Sequence, residues 1–117
     1  DRAERMREFG IPHDVAVELA AHQGPEMGRC ILALYRSAAQ PVLAQAGESL
    51  PSAAARPGLA ISATEDYYAG SPESRRRAAE KAGARLVELD GLGHWWMLQD
   101  PARGAEMLRE FWSSLPA

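Results

Sequence analysis

Two short runs rich in apolar residues, Leu59-Ala60-Ile61-Ser62-Ala63 and Arg85-Leu86-Val87-Glu88-Leu89, flank a single helix-forming stretch, and this order constrains the fold more than any other feature of the chain. Ser71 stands as a helix cap before Pro72, and Gly83 stops the stretch after about Ala82. Strand, helix and strand joined in this way form a βαβ unit, so the strands are expected to run parallel with a right-handed crossover. Parallel sheets are normally buried on both faces and built from several strands. Two strands alone leave both outer edges unpaired. The expected fold class is therefore α/β, with this unit at the edge of a larger, incomplete sheet.

The residues before it read as helices. Asp1 to Phe9 forms a short charged helix stopped by Gly10, and Pro12 opens a second in which Val15, Leu19 and His22 share a face up to Gly24. Pro25 opens a third, with Met27, Cys30, Ile31, Leu34, Tyr35 and Ala38 at helical spacing. Cys30 falls on that apolar stripe, where a free cysteine packs as a small hydrophobe. Pro41 ends or kinks this helix, a small-residue segment runs to about Leu50, and Pro51 to Pro57 reads as a connection. At the other end, Asp100 as N-cap and Pro101 at the first helical position open a last helix. Its apolar face is Met107, Leu108, Phe111, Trp112 and Leu115.

A chain of 117 residues holds one domain at most by its length, and its net charge of −3 offers no electrostatic reason for binding nucleic acid. No apolar run approaches the length of a membrane span, and no secretion signal opens the chain. One cysteine excludes an internal disulfide framework and fits a reducing, cytoplasmic compartment. His13, His22 and His94 lack metal-ligand spacing, Gly91-Leu92-Gly93 lacks the rest of a phosphate loop, and no metal or cofactor is expected. Arg75-Arg76-Arg77 reads most simply as a solvated helix face.

Chemistry concentrates after the two strands. The second runs into Gly91-Leu92-Gly93-His94-Trp95-Trp96, which puts an imidazole on a glycine-flanked loop. A general base needs such a group near neutral pKa on a rigid frame, and ligands of open α/β sheets bind at the carboxyl ends of the strands. The first strand runs into Thr64-Glu65-Asp66 at the matching end. A carboxylate there can hold one ring nitrogen and fix the tautomer of His94; Asp66 is the candidate, with Glu65 its rival. Either loop alone reads as an ordinary turn; together they give the order acid, then base. No Gly-x-Ser-x-Gly, Gly-x-Asp-x-Gly or Gly-x-Cys-x-Gly occurs, and Gly28-Arg29-Cys30 fails at Leu32. Trp95 and Trp96 either line a pocket or pack beneath the last helix, and packing is the expectation.

These residues resemble the α/β-hydrolase superfamily. Pro57 through Asp66 looks like its penultimate strand and acid loop, Ala84 to Leu89 with Gly93-His94-Trp95 like its final strand and histidine loop, and Gln99-Asp100-Pro101 onward like its C-terminal helix. Residues 1–50 look more weakly like the end of a helical cap, with Ile31 to Arg36 as a cap-closing helix. The resemblance divides the chain into a cap-like segment 1–50, a linker 51–57 and a strand-helix-strand-helix portion 58–117. It implies the C-terminal part of a cap-bearing hydrolase acting on an ester, epoxide or similar small substrate, with His94 as base, Asp66 as acid, and the nucleophile elbow and oxyanion loop elsewhere. The chain alone is then inactive, and either self-association or an N-terminal part covers its open edges. The alternative is a non-catalytic module that associates through those edges.

Overall fold

A computed structural model describes residues 1–116. Seven helices, one 3-10 turn and two strands make a mixed α/β chain whose helical first half precedes a small parallel sheet. Strands β1 (Leu59–Ala63) and β2 (Arg85–Leu89) pair in parallel, with Leu59 opposite Arg85 and Ala63 opposite Leu89. Helix α5 (Pro72–Lys81) connects them. The Ser71 hydroxyl accepts from the Ser74 N–H at its start, as its sequence implies.

Side chains alternate across a strand, so each face of the pair has its own cover. Ile61, Ala63, Val87 and Leu89 share one face with Met107 and Leu108 of helix α7 (Pro101–Ser113) and with Trp96 of the short helix α6 (Trp96–Gln99). Ala60, Leu86 and Glu88 share the other, under α5, where Arg76 reaches Glu88 at 3.7 Å. The result is a helix-sheet-helix sandwich only two strands wide. That width explains a departure from the expected α7 face: Met107 is buried and Leu108 and Phe111 are half-buried, but Trp112 is exposed.

The first half starts with α1 (Arg2–Glu8), capped by Asp1, and α2 (His13–His22), which bury Ala3, Ile11 and Ala16 between them. Gly10 takes a positive φ of 84° at the turn, and a Cβ there would lie 2.7 Å from the Gln99 amide. Trp95 and Leu98 pack on this cluster, so the expected packing of the tryptophans divides. Trp96 sits under the last helix, while Trp95 ties α1 and α2 to the sheet. Helix α3 (Pro25–Ser37) forms where its spacing implies but buries no residue, and Cys30 is exposed rather than packed. Among the described residues nothing covers its stripe: Ile31 is 46 % exposed and Leu34 66 %. The segment after Pro41 holds a short helix, α4 (Val42–Glu48), followed by a 3-10 turn over Leu50–Ala55. Its Ala, Leu and Gln favour helix without a capping side chain to announce it. No helix among the described residues is long and apolar enough to cross a membrane.

These gaps in cover show in the surface. The chain exposes 8571 Å², whereas a compact monomer of 12.7 kDa exposes about 6,200 Å². Its radius of gyration is 16.7 Å, against about 13 Å for a compact domain of this length. The seven buried hydrophobic residues include no large side chain that is fully buried. Sedimentation at micromolar concentration is expected to show species larger than a monomer. A monodisperse monomer with cooperative thermal unfolding would overturn this.

A Cβ on buried Gly104 of α7 would lie 2.7 Å from the Trp96 ring. Helix propensity alone favours alanine over glycine by about 1 kcal/mol. Overpacking against a ring held in the core cluster costs about 1–3 kcal/mol and outweighs it. Gly104→Ala should therefore lower the thermal midpoint; a rise would mean that Trp96 yields freely.

Candidate functional site

The pairing of β1 and β2 continues past the strands and sets two loops side by side. The Thr64 N–H donates to the Leu89 carbonyl at 3.1 Å and the Glu65 N–H to the Leu92 carbonyl at 2.9 Å. The Thr64 hydroxyl accepts from the Gly91 N–H at 2.8 Å, at the residue whose φ of 73° turns the chain toward His94. Gly93 needs no such φ; its N–H donates to Gln99 Oε1 at 2.8 Å, which ties the loop to α6. Of the two glycines before the histidine, only Gly91 uses the left-handed region.

This places His94 Nδ1 3.0 Å from Asp66 Oδ2. Asp66, not Glu65, is the carboxylate facing the ring. Its other oxygen, Oδ1, accepts from the backbone N–H of Tyr68 at 2.8 Å and of Ala69 at 3.2 Å, so a local turn holds the carboxylate in place. The Asp66 side chain is 10 % exposed and the His94 side chain 43 %. His94 Nε2 makes no hydrogen bond among the described residues and remains open to a reactant.

Burial pushes the Asp66 carboxyl upward, but the hydrogen bond with His94, those from Tyr68 and Ala69, and the attraction of the imidazole together outweigh it. Asp66 is thus held below the ordinary carboxylate value and is ionised at neutral pH. An ionised acid on Nδ1 favours the tautomer with its proton there, leaving Nε2 as the basic nitrogen.

Several residues around the pair escaped the reading of the sequence. Arg75 is not a solvated residue: its Nη1 donates to the Asp66 carbonyl at 2.7 Å and the Gly70 carbonyl at 3.1 Å, clamping both ends of the acid loop to α5. It shares a helix face with Ala79, four residues on, but only the structure shows that face to be the buried one. Tyr68 and Trp95 flank the imidazole edge to face, each with ring centres 5.4 Å away, and Phe9 meets Tyr68 at 5.7 Å. With Met6, Ile11, Leu19, Gln23 and Tyr35 these rings surround an open hollow of about 610 Å³ over His94. No serine, threonine or cysteine lines it. Among the described residues, no three His, Cys, Asp or Glu side chains gather in a way that could hold a metal ion.

The chain matches no family model, and comparison with curated proteins and with solved structures gives no significant match.

The depressed Asp66 value has a consequence for stability. Its contribution is fully present above the unfolded carboxylate value, about pH 4, and is lost as pH falls through the lower folded value. Asp66→Asn is expected to destabilise the chain by about 1–2 kcal/mol at neutral pH. The difference from the unaltered chain should shrink steadily below about pH 4 in chemical denaturation. A difference constant down to pH 2 would mean that Asp66 is not held ionised by this network.

Proposed function

We propose that this chain supplies the acid and the base of an α/β-hydrolase-type site acting on an ester, epoxide or similar small substrate. The observation that carries the reading is the 3.0 Å contact of His94 Nδ1 with Asp66 Oδ2, made between loops that leave the carboxyl ends of adjacent parallel strands. Asp66 orients the ring and stabilises the imidazolium. His94 Nε2 takes the proton of the attacking hydroxyl or water, then returns it to the leaving group. The nucleophile and the donors for the developing oxyanion come from residues outside this chain.

Three further observations support this reading. Among the described residues, no serine, threonine or cysteine lines the hollow at His94. The serine hydroxyls of Ser37, Ser49, Ser52, Ser74 and Ser114 are committed to nearby backbone carbonyls. The two-stranded sheet leaves the outer edge of each strand unpaired among the described residues, and the chain exposes more surface than a compact fold of its mass. In this reading the sheet is the C-terminal edge of a larger one, and helices α1 to α3 are the end of a cap.

The exposed stripe of α3, with Leu34 and Tyr35 largely in solvent, favours a second reading. There the chain is a non-catalytic module that covers this stripe and the strand edges against another copy.

Activity separates the two. The isolated chain is expected to turn over p-nitrophenyl acetate no faster than free imidazole. Joined to a segment whose strand runs into Gly-x-Ser-x-Gly or Gly-x-Asp-x-Gly in its own reading frame, it should hydrolyse small esters or epoxides. His94→Ala should slow that reaction by about 10³-fold or more. Hydrolysis indifferent to His94→Ala would sink the hydrolase reading. Hydrolysis by the isolated chain that vanishes in His94→Ala would sink the claim that the nucleophile lies elsewhere.

A further inference from the structure

We infer that the hollow over His94 is a binding site for a small, uncharged molecule carrying an aromatic ring. The inference deepens the hydrolase reading and rests on it for the role of His94, while the ring site itself stands on the geometry of the hollow.

Charge comes first. Among the described residues, no Asp, Glu, Lys or Arg lines the hollow, and the lining side chains that carry polar groups are His94, Gln23, Tyr35, Tyr68 and Trp95. An anionic ligand group would lose water there without gaining an opposite charge, and a cation would gain only the faces of the rings. A neutral ligand with one hydrogen-bonding oxygen loses far less, and the open Nε2 of His94 offers it a partner. Size agrees: about 610 Å³ lies within the range of small-molecule sites.

The rings then select among neutral ligands. Phe9, Tyr68, His94 and Trp95 form an unbroken series of edge-to-face neighbours, with centres 5.4 to 5.7 Å apart and planes inclined by 68° to 89°. This is the arrangement in which aromatic quadrupoles attract one another, and a further ring extends it. Phe9 is 51 % exposed and Tyr68 61 %, so both keep surface that a ligand would cover. The two rings come from opposite halves of the chain. Phe9 follows α1, and Tyr68 sits in the turn that Asp66 caps, so the ring site and the acid share one local structure.

The test is binding, read by NMR on the purified chain. Benzyl alcohol is the neutral aromatic probe, cyclohexylmethanol its saturated counterpart, and benzoate and benzyltrimethylammonium the charged ones. Benzyl alcohol is expected to shift the Trp95 indole, the His94 ring and the Tyr68 amide in a saturable manner. It should bind about 2- to 10-fold more tightly than cyclohexylmethanol. Both ions should bind at least about tenfold more weakly than benzyl alcohol.

Tyr68→Leu and Phe9→Leu keep apolar bulk and remove the ring; each should weaken benzyl alcohol by about 2- to 10-fold while leaving cyclohexylmethanol unchanged. The unchanged saturated probe also shows that the variants remain folded. No saturable shift, equal binding of the saturated probe, or tighter binding of the ammonium ion would overturn the inference. Failure of the two readings is separable. Ring binding without His94-dependent hydrolysis removes the hydrolase and keeps the site; His94-dependent hydrolysis without aromatic preference does the reverse.

Discussion

The pairing of β1 with β2, carried three residues beyond the strands, is the constraint on which the site depends. Register in a parallel pair decides which residues leave the sheet together. With Ala63 opposite Leu89, the chain emerges at one end as Thr64 and Asp90, and the bonds from Thr64 and Glu65 to the second loop hold the exits side by side. A slip of one residue would turn Ile61 or Val87, whichever strand shifted, away from α7 and would carry Asp66 away from His94. The apolar face thus protects the chemistry: the same register that buries Leu89, at 2 % exposure, sets the carboxylate against the imidazole.

Much of this was legible in the sequence, for local reasons. The strands carry apolar residues bounded by turns, α5 and α7 start at a serine and an aspartate followed by proline, and both caps form the bonds their residue types imply. Asp66 and His94 were legible because each lies within five residues of the carboxyl end of a strand, where position depends little on distant structure. Arg75 was not, because three consecutive arginines give no sign of which one turns inward. That choice is made by the tertiary approach of the acid loop, whose carbonyls at Asp66 and Gly70 need donors. Phe9 lay equally out of reach, since its neighbour Tyr68 lies across the whole helical half of the chain. For α3 the spacing identified the helix and its stripe but not the absence of a covering surface, so Cys30 was expected inside and stands outside.

The helical half is joined to the sheet through few side chains. Trp95 and Leu98 pack on the cluster of Ala3, Ile11 and Ala16, and Gly10 gives the Gln99 amide room to approach. Gln99 also accepts from Gly93, just before the histidine. One short helix, α6, therefore takes its position from both halves. Trp95 carries both functions in one residue, anchoring α1 and α2 with part of its indole and flanking His94 with the rest. Movement of the helical pair would reach the imidazole through this side chain without altering the strands.

Asp66 is held by more bonds than a mere orienting contact needs. Its two oxygens and its carbonyl accept from His94, Tyr68, Ala69 and Arg75, which come from the second loop, its own turn and the crossover helix. Such a carboxylate cannot swing to follow the ring, so the ring must come to it. His94, with 43 % of its side chain exposed and Nε2 unbonded, is held to this fixed acid through Nδ1 alone among its ring nitrogens. This division suits a group that passes a proton back and forth. In the proposed hydrolase the acid would set one tautomer, and Nε2 would face first the attacking group and then the leaving one. Tyr68 and Trp95 each stand edge to face with the ring, so the walls of the hollow also bound the imidazole.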